Sequence, residues 1–154
     1  MLSIHKISVD FHEDSFGLIA IHSSLQDYAM AYALNLHLKS NFKRCRKDLD
    51  ISEEVTIPIF EWNDEANGGY WTFFANNGVK EDTLERDGFF KDEPSFTPFH
   101  VVPEHREVDY FLKIEQDDFV ISPNLVKKLL AIPKVITVYD VQYHKLKSKK
   151  NLIF

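Results

Sequence analysis

Ile7, Val9 and Phe11 alternate with Ser8 and Asp10, the period-2 pattern of a half-buried strand. His12–Ser15 follows as a polar turn. Gly17–His22 is a short apolar run and predicts a buried central strand. Ser23-x-x-Gln26 fits a capping box, and Asp27 adds negative charge to the first turn of the helix it would open. Leu25, Tyr28, Ala29, Tyr32, Ala33 and Leu36 then recur at helical spacing, while Met30, Leu34 and Leu38 fill a second face. Such a helix is wrapped by protein on two sides, or its second face meets a partner subunit.

The rest of the chain alternates between polar connections and apolar runs. Lys39–Glu54 reads as a polar connection. Val55–Trp62 reads as a strand whose Pro58 marks an edge or a bulge, because proline donates no ladder hydrogen bond. The cluster Asn63–Gly68 with its Asn-Gly pair predicts a turn, and Tyr70–Asn76 the returning strand. Asn77–Thr97 reads as a long loop interrupted by Phe89, Phe90 and Phe96. Three large apolar side chains in a polar loop predict that it closes over a sheet face. Val108–Glu115 is a strand with Val108, Tyr110, Leu112 and Ile114 on one side and Asp109, Phe111 and Lys113 on the other. Ser122-Pro123 gives an N-cap followed by the first helical position. Leu125, Val126, Leu129 and Leu130 supply that helix's stripe, Pro133 ends it, and Val135–Tyr143 is the last long strand.

The expected fold class is α+β: a mostly antiparallel β-sheet with two helices on one face, ferredoxin-like or a variant of it. The opposite sheet face is then solvated, covered by the long loop or paired with another chain. The chain reads as a single domain over residues 1–154, with the long loop at 77–97 and a basic then apolar tail at 145–154.

The run Val102-Pro103-Glu104-His105-Arg106-Glu107-Val108-Asp109-Tyr110 resembles the signature of the bacterial IPExxxVDY family. Pro103, Glu104, Val108, Asp109 and Tyr110 match it, and Val102 replaces an isoleucine, an apolar β-branched exchange. Further resemblance lies in Gly17–His22, Asp27-Tyr28 with Leu34-Asn35, Phe60-Glu61, Asn76-Asn77 and Lys145–Phe154, so that it extends over nearly the whole chain. The resemblance implies a relative and not a reaction.

Composition narrows the function classes. A 44% apolar content suits a folded globule large enough to need no metal or disulfide. The 13 phenylalanines predict an aromatic core, with an exposed aromatic binding face as the sharper alternative. A net charge of −6 opposes general nucleic-acid affinity. Cys45 is alone, which fits a reducing compartment. Met1–Phe11 carries Ser3, His5, Lys6, Ser8 and Asp10 and is no secretory apolar region. No stretch approaches the roughly 18 apolar residues of a spanning helix. A soluble cytoplasmic protein is expected.

Candidate chemistry is sparse. The seven histidines show no metal-ligand spacing, so no metal and no cofactor are expected. Asp109 lies within an apolar strand, where a carboxylate needs a partner. It either caps a loop, or pairs with Arg106, Lys113 or Lys134, or joins Glu104 and His22 in an acid–base pocket. The structural role is the favoured one. Lys43, Arg44, Arg46 and Lys47 surround Cys45, a field that would lower the thiol pKa, although such a charge run is usually only a solvated connection. The lysines of 145–150 precede Asn151–Phe154, whose apolar end either packs on the domain or docks a partner. Trp71, Phe73, Phe74, Tyr110 and Phe111 would suit base stacking on a sheet, but no matching RNA-binding motif accompanies them. The expectation is a non-catalytic interaction or regulatory module, self-associating as a homodimer, with room for a further protein partner and with neither nucleic acid nor membrane expected as a partner. A small enzyme using Glu104 and Asp109 is the alternative, and an RNA-associated protein the third.

Overall fold

The computed structural model describes residues 16–52, 54–82 and 95–154, with backbone alone at 81, 82, 95 and 96. The expected strand Ile7–Phe11, its turn His12–Ser15, and Phe89 and Phe90 lie outside the described residues, as does the Phe96 side chain. The elements are β1 (Gly17–Ser23), α1 (Asp27–Leu38), β2 (Lys43–Arg44), β3 (Leu49–Ser52), β4 (Val55–Ile57), β5 (Ile59–Asp64), β6 (Gly69–Ala75), β7 (Asn77–Asp82) and β8 (Ser95–His100). There follow a 3-10 turn (Pro103–His105), β9 (Tyr110–Glu115), α2 (Pro123–Leu130), β10 (Val135–Asp140) and two 3-10 turns at Tyr143–Lys145 and Lys149–Leu152. Six strands form one sheet in the order β10-β1-β9-β6-β5-β2, antiparallel throughout. Two separate hairpins, β3–β4 and β7–β8, stand beside it. The fold is α+β with a mostly antiparallel sheet and two helices.

Strand alternation sorts the core into two layers. Ile19, Ile21, Trp71, Phe73, Leu112, Ile114 and Val138 point to one face, where Met30, Ala31 and Leu34 of α1 and Leu129 of α2 pack on them. Leu18, Ala20, Phe74 and Phe111 point to the other. That second face is covered by Val55 and Ile57 of β4, by Val101, Val102 and Val108 around the signature, and by Val141, Leu146 and Leu152. The tail thus packs on the domain. Because both faces are covered, β1 reads as an apolar run with no polar alternation.

Several expectations change. Pro58 splits Val55–Trp62: β4 pairs with β3, and β5 joins the main sheet. The expected polar connection Lys39–Glu54 holds β2 and β3 and buries Phe42. Both ends of the expected loop Asn77–Thr97 are strands, paired from Asn77↔His100 to Asp82↔Ser95. Val108 lies outside β9 and buries into the second face with Phe111, away from Tyr110. The turn Asn63–Gly68 joins β5 to β6, and Gly68 takes φ +68, a conformation that favours glycine. Ser122 caps α2 by accepting from the Leu125 N–H at 3.1 Å.

The largest correction concerns α1. Its capping box does not form: Gln26 is the N-cap and bonds no backbone N–H through its side chain. Ser23 ends β1 instead, where its Oγ accepts from the Leu25 N–H and donates to the Lys134 carbonyl. The two apolar stripes also exchange roles. Met30, Ala31 and Leu34 form the buried face, whereas Tyr28, Tyr32 and Leu36 remain 65%, 71% and 66% exposed. Apolar residues surround α1 almost evenly, so pattern alone does not choose its inner side. Packing chooses it: the aliphatic side chains fill the space over the sheet and the tyrosine hydroxyls stay in water.

Candidate functional site

The signature folds as a junction around a residue outside it. Asn76, at the corner between β6 and β7, is fully buried. Its Nδ2 donates to the carbonyls of His105 at 2.8 Å and Val108 at 3.1 Å. Its Oδ1 accepts from the Val102 N–H at 2.8 Å, and its backbone bonds Asp109 and Val101. Pro103 opens the 3-10 turn at its first position, where the missing N–H costs nothing. Val102 and Val108, at either end of the turn, are buried.

The polar signature residues reach outward from this junction to two other parts of the chain. Glu104 accepts the Ser148 N–H at 3.1 Å and so holds the C-terminal segment. Burial is the largest single effect and opposes its ionisation, but hydrogen bonds from Ser148 and from the Glu104 and Lys147 backbone together outweigh it and hold the carboxyl below the ordinary glutamate value. Asp109 accepts the Ser23 N–H at 2.9 Å, capping the corner between β1 and α1. Tyr110 donates its hydroxyl to the Leu25 carbonyl at the same corner. Burial, then the charges of Asp27 and Asp109, push the Tyr110 hydroxyl up to about 12. It therefore stays protonated as a donor through the neutral range.

Each candidate pocket residue thus has its own partner. Glu104 bonds Ser148, Asp109 bonds Ser23, and His22 Nε2 lies 3.2 Å from the Tyr139 hydroxyl. The carboxylate that shares its surroundings with histidines is Glu107, 3.4 Å from His105 Nδ1. Its own backbone N–H above all, with smaller contributions from His105 and His22, holds it below the ordinary value against the effect of burial. Nothing distinguished Glu107 in the sequence, where it fills one of the signature's variable positions. A pocket of about 430 Å³ lies alongside, lined by Glu104, His105, Tyr139, Val141, Lys145 and Leu146 among others. Among the described residues, no three His, Cys, Asp or Glu side chains gather to hold a metal ion.

The remaining chemistry is restrained by its surroundings. Burial and then Glu61 raise the Cys45 thiol to about 11, and Arg44 opposes this only weakly, so the basic field does not produce a thiolate. Trp71, Phe73, Phe74, Tyr110 and Phe111 are buried, so none offers a ring for base stacking. Lys113 is 2% exposed on the second face, between the rings of Phe16 and Phe154, with Glu115 Oε1 3.1 Å away. It is no partner of Asp109.

Asp109→Ala is expected to lower stability by about 1–3 kcal/mol, the cost of leaving the Ser23 N–H without its charged acceptor. Urea unfolding measures this, and an unchanged midpoint would remove the capping role.

Among the described residues, one large apolar surface has no cover. Tyr28, Tyr32 and Leu36, with Leu25, Ile132 and Pro133, line a groove of about 700 Å³ on the outer side of α1. It carries few polar groups, with His37 and Lys134 at its rim. No helix among the described residues is long and apolar enough to cross a membrane. Compared with protein-family models, with curated proteins and with solved structures, the chain matches none.

Proposed function

We propose that this chain is a non-catalytic interaction or regulatory module that works in the cytoplasm and self-associates as a homodimer. One observation carries the reading: the outer face of α1 presents two tyrosines and a leucine, each about two-thirds exposed, beside an apolar groove. Scattered exposed apolar residues need no explanation, but a contiguous stripe of two tyrosines and a leucine supports a contact surface. Membership of the IPExxxVDY family is part of the reading, supported by the signature's five matching residues, Pro103, Glu104, Val108, Asp109 and Tyr110. So is a ferredoxin-like variant, supported by the order β10-β1-β9-β6 with α1 between β1 and β6 in sequence and α2 between β9 and β10. In that variant β5 and β2 extend one edge.

The alternative of a small enzyme using Glu104 and Asp109 has less support, because both carboxylates accept backbone N–H groups. The RNA reading has less still, because the strand aromatics are buried and the net charge is −6.

Light scattering across micromolar concentrations tests the proposal. The expected result is a species of twice the 18.0 kDa chain mass. A single-chain species at every concentration would overturn self-association.

A further inference from the structure

The outer face of α1 has a relief that fits a copy of itself. Tyr28, Tyr32 and Leu36 lie four residues apart and make one ridge. Ala29, Ala33 and His37 make the neighbouring four-residue row, with Leu25 ahead of the helix at its end, and the two alanines leave a furrow. We propose that two chains pair α1 against α1 in opposite directions, the ridge of each in the furrow of the other, across a two-fold axis near Tyr32. The proposal rests on the self-association reading and adds the partner's seat and direction.

Three observations support it. A two-fold interface must be self-complementary, and this face carries both a ridge and a furrow. Rows spaced by four residues that interdigitate cross at about 50°, so contact concentrates on the central residues Tyr28 to Leu36. Charge sets the direction: Asp27 stands at the start of the helix, and His37 and Lys39 stand at its end. Opposed helices bring unlike ends and unlike dipole poles together, and parallel helices bring like ones together.

Area sets the strength. The exposed parts of Tyr28, Tyr32 and Leu36 amount to on the order of 400 Å², at roughly 200 Å² for a whole aromatic side chain. A stable interface needs about 800 Å² per partner. The flanking groove residues add to the three, and the pair is expected to form in the micromolar range and not below it.

Disulfide trapping tests the geometry. Cys45 is the lone cysteine, so Cys45→Ser gives a clean background. In it, Tyr32→Cys is expected to cross-link to itself under mild oxidation. Tyr28→Cys and Leu36→Cys are expected to cross-link when mixed, and little when alone. Self-linking of each of these two without mixed product means parallel helices and overturns the proposal. A dimer in light scattering with none of these cross-links overturns the geometry and leaves self-association standing. A single-chain species in light scattering overturns both. Ala33→Glu, which puts a charge in the furrow, is expected to raise the dimer dissociation constant by about tenfold or more. Its melting curve at concentrations where the parent is monomeric checks that it still folds, because Ala33 is partly buried and packs against the core. An unchanged dissociation constant in a folded Ala33→Glu protein would also overturn the pairing.

Discussion

Asn76→Ala is expected to destabilise the protein by about 3–5 kcal/mol, the largest effect of any single polar substitution considered. The side chain satisfies one N–H and two carbonyls at a site that is fully buried. Removing it leaves those groups without partners, at about 1–3 kcal/mol for each that water does not reach. Stabilities of small domains are themselves only about 5–15 kcal/mol, so the variant is expected to be near unfolding at ordinary temperature. Asn76→Asp should be comparably harmful, because a carboxylate has no N–H to offer the His105 and Val108 carbonyls. Urea unfolding with a fluorescence readout from Trp62 and Trp71 measures both. A loss under about 1 kcal/mol in either variant would mean that the junction does not depend on this side chain.

Lys113→Met is expected to act in the opposite direction and raise stability by about 1–3 kcal/mol near neutral pH. Lys113 lies within the second layer with Glu115 as its ion-pair partner, and Glu115 itself is partly exposed. Exchanging a buried charge for an apolar side chain of similar length is often neutral or stabilising. The pH dependence supplies an independent check. Burial lowers the folded-state pKa of Lys113 below its ordinary value of 10.5, with Glu115 opposing. Below the folded value both states hold the proton, and the penalty is constant. Between the folded value and about 10.5 the unfolded chain binds more protons, so the parent's stability rises with pH relative to the variant. The advantage of Lys113→Met should therefore shrink as pH rises through that window. An advantage that grows, or a variant less stable than the parent at neutral pH, would show that the aromatic rings of Phe16 and Phe154 outweigh desolvation.

These two residues show where sequence reading stops. Gly17–His22, the Asn63–Gly68 turn and Ser122-Pro123 are legible because each is decided locally, by an apolar run, a left-handed glycine or a cap. Lys113 reads as the outward position of a strand, and only the cover over the second face makes it buried. Asn76 reads only as the last residue of the returning strand, because its partners lie 26 to 32 positions away. The β7–β8 hairpin reads as a loop because Asn77–Asp82 lacks strand formers except Val79; its pairing comes from across the chain. The inner face of α1 was undecidable from two apolar stripes. The signature itself was legible as a motif, but its polar residues serve corners of the chain that no spacing could name.

The position of β1 in the sheet has a consequence for synthesis. It lies between β9 and β10, and its His22 meets Tyr139 across 117 residues of sequence. At roughly 5–20 residues per second, on the order of ten seconds pass between the emergence of β1 and of the strand that covers its outer edge. For most of that interval, until β9 emerges, the run Gly17–Ser23 has neither neighbour, and α1 lacks the central strands on which to lay Met30 and Leu34. An apolar strand with both edges bare is a template for pairing between nascent chains. The order in which this protein is made thus runs against the order in which its sheet closes, and its yield in a cell should depend on how quickly a chaperone reaches the segment from β1 through α1.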